Sequence, residues 1–307
     1  MKYESAQVLR GHEGPVYAVR FNEKGTYCMT CGSDRTIRLW NPHREGPDGP
    51  TSAMMIKAYK GLHGYEIRDV AIENDNAKFV SCGRDKVVFH WDVSTGKVIR
   101  KFEGHASSVN AVEFNDDCTV LCSASYDSTV RLWDMRARNS FTPIQVLDHF
   151  RDSVTSVRVT DHEIITSCVD GFVRVYDIRA GMLTEDNLHH PVTCLALTSD
   201  LNCIVASTTN GVLRFFEKKS GTELNTFQGH SVASYGLECA FSNDDAYILS
   251  GSEDGRVVVW DMLTKDTALS FQAHDRPVRS IASHPAEPMI LTASVDNTVK
   301  VWRPVAS

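Results

Sequence analysis

The chain has 307 residues, 42% hydrophobic and 23% charged, enough for one large domain or two ordinary ones and balanced as globular proteins are. Its 32 Lys and Arg against 39 Asp and Glu give a net charge of −7, which argues against a protein whose main task is wrapping nucleic acid but leaves room for a local basic patch and a direct nucleic-acid contact there. No run approaches the roughly 18 consecutive apolar residues of a membrane helix, and the N-terminal MKYESAQVLRGHEG has no apolar core of signal-peptide length; cytoplasm, nucleus or both are the expected compartments, with no membrane partner.

The first predicted element is a strand at residues 5–10 (SAQVLR), just ahead of Gly11-His12. The strand-like TYCMTCGSD that follows carries Cys28 and Cys31 as a C-x-x-C. A zinc or redox site would need further ligands at matching spacing. None accompanies this pair, so no metal or other cofactor is expected. The nine cysteines, an odd number placed mostly in apolar runs, read as buried free thiols of a reducing compartment. GSDRTIRLWN (32–41) ends the first unit. After it, HREGPDGPTSAMMIK (43–57) reads on its Gly and Pro content as an inserted loop between the third and fourth strands. It is a tolerated surface insertion or, more sharply, a docking loop anchored by Met54 and Met55.

The rest of the chain repeats this unit. GSDRTIRLWN returns as GRDKVVFHWD (83–92), SYDSTVRLWD (125–134), CVDGFVRVYD (168–177), TTNGVLRFFE (208–217), SEDGRVVVWD (252–261) and SVDNTVKVWR (294–303). The acidic position is Asp34, Asp85, Asp127, Asp170, Asn210, Asp254 and Asp296. Six residues further on stands an aromatic, and all five tryptophans of the chain occupy that place. Between these marks lie short runs of Val, Leu, Thr and aromatics separated by turn residues, the pattern of antiparallel hairpins. No stretch keeps a helical period over three turns.

A period of about 40–45 residues with Gly-His and Trp-Asp marks is the signature of WD repeats, and the chain resembles that family over nearly its whole length. The resemblance implies an all-β, seven-bladed β-propeller in a single domain spanning 1–307, one four-stranded sheet per blade. The last unit stops just after Trp302 without a fourth strand. The orphan strand at 5–10 is therefore expected to pair with the last blade, closing the ring and removing two exposed sheet edges.

Ser123 and Asp127, with His105 upstream, have the composition of a hydrolase triad. A triad is needed once, whereas this set recurs: the histidine stands 22 residues before the aspartate and a Ser or Thr four before it. In WD propellers such residues form a hydrogen-bond network tying a blade's loop to its inner strands. The resemblance thus assigns structural roles to His12, Thr30, Asp34 and Trp40; to His63, Ser81, Asp85 and Trp91; to His105, Ser123, Asp127 and Trp133; and to His274, Thr292, Asp296 and Trp302. With no nucleophile elbow, phosphate loop or metal cluster in view, no enzymatic activity is expected.

CGSDRTIRLWNP (31–42), KFEGHASSVNAVEFN (101–115), RDSVTSVRVTDHEIITSCVDGFVRVYDIR (151–179) and HPAEPMILTAS (284–294) are similar to the mitogen-activated protein kinase organizer 1 family of WD-repeat scaffolds. So are Asn41-Pro42 after Trp40 and the Tyr at 176. That resemblance implies a non-catalytic protein-interaction scaffold assembling components of a kinase signalling cascade. It leaves open a WD-repeat subunit of a nuclear RNA-processing (spliceosomal) complex, so the partners are kinase-cascade or splicing factors. Partner contacts in WD propellers often come from the face of the Gly-His turns. The positions mapping there include Tyr17, Arg68 and Arg279 on inner strands, and Arg84 and Tyr126 just before the aspartates, on blades one, two, three and seven. An arginine–aromatic patch on an acidic chain points to an acidic or phosphorylated peptide segment. Ordinary solvated side chains are the plain alternative, and RNA stacking on the tyrosines a weaker third.

Overall fold

A computed structural model describes residues 2–137, 141–232 and 236–305. Among the described residues all regular structure is strand. The second strand of each blade shows why. Cys28–Gly32 is buried at every position, as are Ile290–Ser294 and all but the first residue of Val120–Ser125. Such strands are covered on both faces, so they read as continuous apolar runs. The outermost strands are far more exposed: Met182–Asn187 and Thr267–Gln272 have no buried position, and Glu223–Gln228 has one. The core therefore lies between blades. One cluster joins Val80, Val88 and Phe102 of the second blade to Val112, Leu121 and Trp133 of the third, and each such side chain contributes roughly 1.5–3 kcal/mol on burial.

The inner strands are Val16–Phe21, Ile67–Ile72, Val109–Phe114, Val154–Val159, Val192–Leu197, Cys239–Phe241 and Val278–Ser283. Each packs on the next, and the seventh packs on the first. Seven blades thus close a ring around a central channel. In blades one to five and seven the inner strand is bulged after its first residue: Val16 pairs with Gly32 and Ala18 with Cys31, leaving Tyr17 out of the ladder. The same skip occurs at Arg68, Asn110, Thr155, Thr193 and Arg279. A bulge re-aims the extra side chain, and here it does so at one mouth of the channel.

The ring closes as expected. Tyr3–Leu9 pairs antiparallel with Val299–Pro304, from Tyr3↔Pro304 to Leu9↔Val299. The segment 43–57 is not a loop. Ile37–Gly46 and Gly49–Tyr59 form a long hairpin whose pairing runs out to Gly46↔Gly49. Gly49, at φ +94°, supplies the left-handed turn that other residues resist, and the TSAMMI after it extends readily. Ala53 of this hairpin is buried with Leu9, Trp40 and Val301. A parallel bridge, Val8↔Ser52, also joins the hairpin to the closing strand. Blades one and seven are thereby one continuous eight-stranded sheet, beside five separate four-stranded ones.

Candidate functional site

In blade one His12 Nδ1 lies 2.9 Å from Asp34 Oδ2 and its Nε2 2.7 Å from Thr30 Oγ1, while the Trp40 indole donates to that same hydroxyl at 2.9 Å. The structure brings together His63, Asp85, Ser81 and Trp91 at 2.7, 2.7 and 2.8 Å in the same order. For His105, Asp127, Ser123 and Trp133 the distances are 2.9, 2.8 and 2.9 Å, and for His274, Asp296, Thr292 and Trp302 they are 2.8, 2.8 and 2.9 Å. With Nδ1–H donating to the carboxylate, Nε2 accepts from the hydroxyl, whose lone pair accepts from the indole. Each imidazole, each Ser or Thr hydroxyl and each indole in these sets is paired, as burial demands, while Asp85 Oδ1 is buried without a partner among the described residues. Burial pushes the Asp34 carboxyl up, but the hydrogen bond and electrostatic pull of His12, with the Thr36 hydroxyl and the Glu13 amide, together bring it down to about 2. Asp127 and Asp296 are lowered against burial in the same way by His105 and His274.

Ser123 is fully buried, its oxygen occupied by imidazole and indole rather than aimed at a substrate. Ser123→Ala leaves His105 Nε2 and the Trp133 indole unpaired and is expected to lower stability by roughly 1–2 kcal/mol, read from urea unfolding. Ser250→Ala is the control, because among the described residues Ser250 bonds only the Gly251 carbonyl, at 3.0 Å, and the shift there is expected to be smaller.

Blades four to six depart from the set. Asp170 pairs with Arg174 at 2.9 Å, and Asn210 accepts from Thr208 at 2.5 Å. In blade six the histidine and aspartate, His230 and Asp254, stand two residues further apart than in blades one, two, three and seven. The Trp260 indole bonds the Gln228 carbonyl instead, at 2.9 Å. Both ring nitrogens of His230 are buried without a partner among the described residues.

At the bulge-lined mouth the guanidinium of Arg68 lies 4.9 Å from the Tyr17 ring centroid and that of Arg279 5.2 Å from it. Tyr17 is thus flanked by two cations, the geometry of cation–π attraction. Glu66 accepts from Arg68 Nη2 at 2.6 Å and lies 3.8 Å from Arg84 Nη1. Burial, then Glu66, raise the Tyr17 hydroxyl, against a lowering pull from the two arginines; it stays a neutral donor. Tyr17, Arg68, Arg279 and the exposed Tyr126 line one cavity of about 300 Å³ with Asn110, Thr155 and Glu238. Arg84 is not part of that lining; it stands exposed beside it, held by Glu66.

Sequence reasoning missed Glu66, although it directly precedes an inner strand, a position where side chains also reach this face. It missed the channel network too. Arg20 of blade one reaches Asp69 of blade two at 2.9 Å and Glu238 of blade six at 2.7 Å, and Ser280 donates to Glu238 at 2.5 Å. At the same position of its own inner strand, Arg158 bonds Glu113 at 2.6 Å. Burial raises the Asp69 carboxyl to about 6 despite the pull of Arg20.

The family model described as the SPT8 beta propeller matches residues 4–303. The chain is 44% identical to WD repeat domain-containing protein 83 of Rattus norvegicus, over 95% of this chain and 89% of the relative. It is 31% identical to the WD repeat domain-containing protein 83 homolog of Dictyostelium discoideum over 98% of each. An uncharacterized WD repeat-containing protein of Schizosaccharomyces pombe is 36% identical over 94% of each. With its repeated His–Ser/Thr–Trp–Asp sets, its ring of blades and these relatives, the chain belongs to the WD-repeat β-propeller family.

Proposed function

We propose that the chain is a non-catalytic scaffold that gathers the components of a kinase signalling cascade, in cytoplasm or nucleus, through the channel mouth at Tyr17. WD-repeat propellers generally bind other proteins, and the sequence resemblance to the kinase-organizer scaffolds supplies the pathway. The observation that carries the site is Tyr17 held between Arg68 and Arg279 in a cavity that also exposes Tyr126. Arginine and tyrosine are the residues that anchor interfaces. The ligand chemistry is an acidic or phosphorylated peptide segment. Glu66 already holds Arg68, so an incoming anion competes with a carboxylate. A phosphate, with up to two charges and three acceptor oxygens, competes better than a second carboxylate.

The test is a protein carrying Arg68→Glu, Arg84→Glu and Arg279→Glu together. It is expected to melt as the parent does and to lose its partners in affinity capture. Unchanged capture of every partner would rule this face out. Partners recovered after ribonuclease treatment distinguish the pathways: kinase-cascade components support this reading, and splicing factors support the RNA-processing alternative.

A further inference from the structure

We propose that a cleft between blades one and two, on the face opposite the Tyr17 mouth, docks a basic peptide segment that inserts one apolar side chain beside Ile56. The strand order gives the face. Tyr17 stands at the start of its inner strand, whereas the turns at 22–27 and 73–78 leave the ends of the first two inner strands. Between these turns and the inserted hairpin lies a cavity of about 250 Å³ whose apolar lining is Tyr27, Met29, Leu39, Ile56, Ile72 and Val93. Its two polar members, Asn22 and Asn76, are bonded to each other at 2.9 Å. Ligand pockets usually run to roughly 300–1,000 Å³, so this one suits a single side chain of leucine or phenylalanine size rather than a cofactor.

The ladder puts Ile56 there. Leu39 pairs with Lys57 and Trp40 with Met55, which leaves Ile56 as the extra residue of a bulge, and a bulge re-aims its extra side chain. Ile56 is 44% exposed and Tyr27 37%. Exposed apolar groups gathered over an apolar cavity mark an interaction site.

Charge selects the partner. Ile72 also lines an adjoining cavity of about 330 Å³ with Glu23 and Asp116. Both carboxylates are exposed, as are Asp75 and Asp117 on the same group of turns. Glu113, in that second cavity, is already held by Arg158 at 2.6 Å, and Lys78 is held by Glu73 at 3.2 Å. Lys57, beside Ile56, donates to the Val93 and Ser94 carbonyls at 2.9 and 2.6 Å. Among the described residues of these turns, Lys24 is the one exposed cation against those carboxylates. An extended peptide advances roughly 3.3 Å per residue, so the apolar anchor and a lysine or arginine reaching Glu23 and Asp116 stand within a few residues of each other. An acidic segment, the chemistry of the Tyr17 mouth, is repelled here. The two faces therefore take segments of opposite charge.

The experiment pans a random peptide display library on the native chain and measures each enriched peptide by fluorescence anisotropy against the parent and its variants. A class of peptides with Lys or Arg within a few residues of a leucine, methionine or aromatic is expected. Its affinity should fall about tenfold with Ile56→Ser, and about tenfold with Glu23→Lys and Asp116→Lys together, the second effect fading as salt rises. Ile99→Ser is the control, since Ile99 is the extra residue of the same bulge in blade two, 51% exposed and outside the lining. The Arg68→Glu, Arg84→Glu, Arg279→Glu protein should bind these peptides at least as well as the parent, which separates this result from the Tyr17 reading. Urea unfolding of each variant is expected to match the parent, because the substituted side chains are exposed. No enrichment, enriched peptides without the pattern, or affinity unchanged by both the Ile56→Ser and the charge-reversed proteins would overturn the proposal. A parent that sediments as a dimer and an Ile56→Ser protein that sediments as a monomer would overturn it as well, by making a second copy of the chain the occupant.

Discussion

A chain lacking residues 1–10 is expected to lose cooperative melting and to aggregate. Tyr3–Leu9 supplies the fourth strand of blade seven. Removing it strips the ladder partner from Val299–Pro304 and opens a long edge, the template on which other chains add. It also uncovers apolar surface. Leu9 is fully buried against Val16, Val299 and Val301, and Tyr3 stacks on Phe271 at 5.9 Å. Two such side chains are worth roughly 1.5–3 kcal/mol each, a large share of the 5–15 kcal/mol that holds a typical native protein together. A second variant separates pairing from chain order. Because Tyr3 sits opposite Pro304, the sequence of residues 3–9 can be grafted after Pro304 through a short turn and paired in the same register. That graft is expected to restore soluble, cooperative unfolding to the truncated chain. Truncated protein that melts like the parent would show that this strand does not carry closure.

The second large effect is a loss of stability in mild acid that traces to one histidine. Burial holds His230 down at about 4, against 6.5 for a free imidazole. The folded state thus binds this proton less readily than the unfolded one. Its contribution is complete above pH 6.5 and is lost as pH falls towards 4. At about 1.4 kcal/mol per pKa unit the total is a few kcal/mol. Asp69 acts oppositely: its raised carboxyl favours the folded state as pH falls from about 6 to 3.8. The diagnostic quantity is therefore the difference between the parent and His230→Phe, which keeps an aromatic ring against Trp260. Urea midpoints of the two are expected to diverge between pH 4 and 6.5, with the variant flatter. Parallel curves would mean that His230 finds a partner when charged. Further into acid, Asp34 adds a loss of its own. Its lowered carboxyl contributes above pH 3.8, and that contribution vanishes as pH falls through about 2.

The blades were legible because their polar network is a matter of spacing. Eighteen residues from His to Ser or Thr, and 22 from His to Asp, bring a loop histidine onto a hydroxyl of the second strand and the aspartate of the turn after it in blades one, two, three and seven. In blade six, two extra residues accompany a His230 without a partner among the described residues, and that departure too could be counted in advance. The hairpin at 43–57 was misread because Gly and Pro were weighed as composition, while strand formation there depends on a tight turn at Gly49 and a partner strand already in place. The channel pairs of Arg20 with Asp69 and Glu238 had no sequence signal. They join three blades, and only ring geometry makes those residues neighbours. The Tyr17 mouth falls in between: its residues could be mapped from the repeat, but the role of Glu66 in holding Arg68 and Arg84 needed the fold.

The joint between the closing strand and the inserted hairpin bears on how the chain is made. Translation produces residues 3–9 long before their partners 299–304, so the edge that closes the ring is absent while the blades between them are made. Pairings this distant are slow to form and leave apolar edges open to aggregation meanwhile. The Val8↔Ser52 bridge and the burial of Leu9 with Trp40 and Ala53 tie the early strand to a blade finished soon after it. A nascent chain can thus shelter its first strand on blade one, next to where the last blade will arrive. Ribosome-bound chains stalled once Tyr59 has cleared the exit tunnel should already protect Leu9 from protease, and disrupting the hairpin should lower the yield of folded protein more than its equilibrium stability.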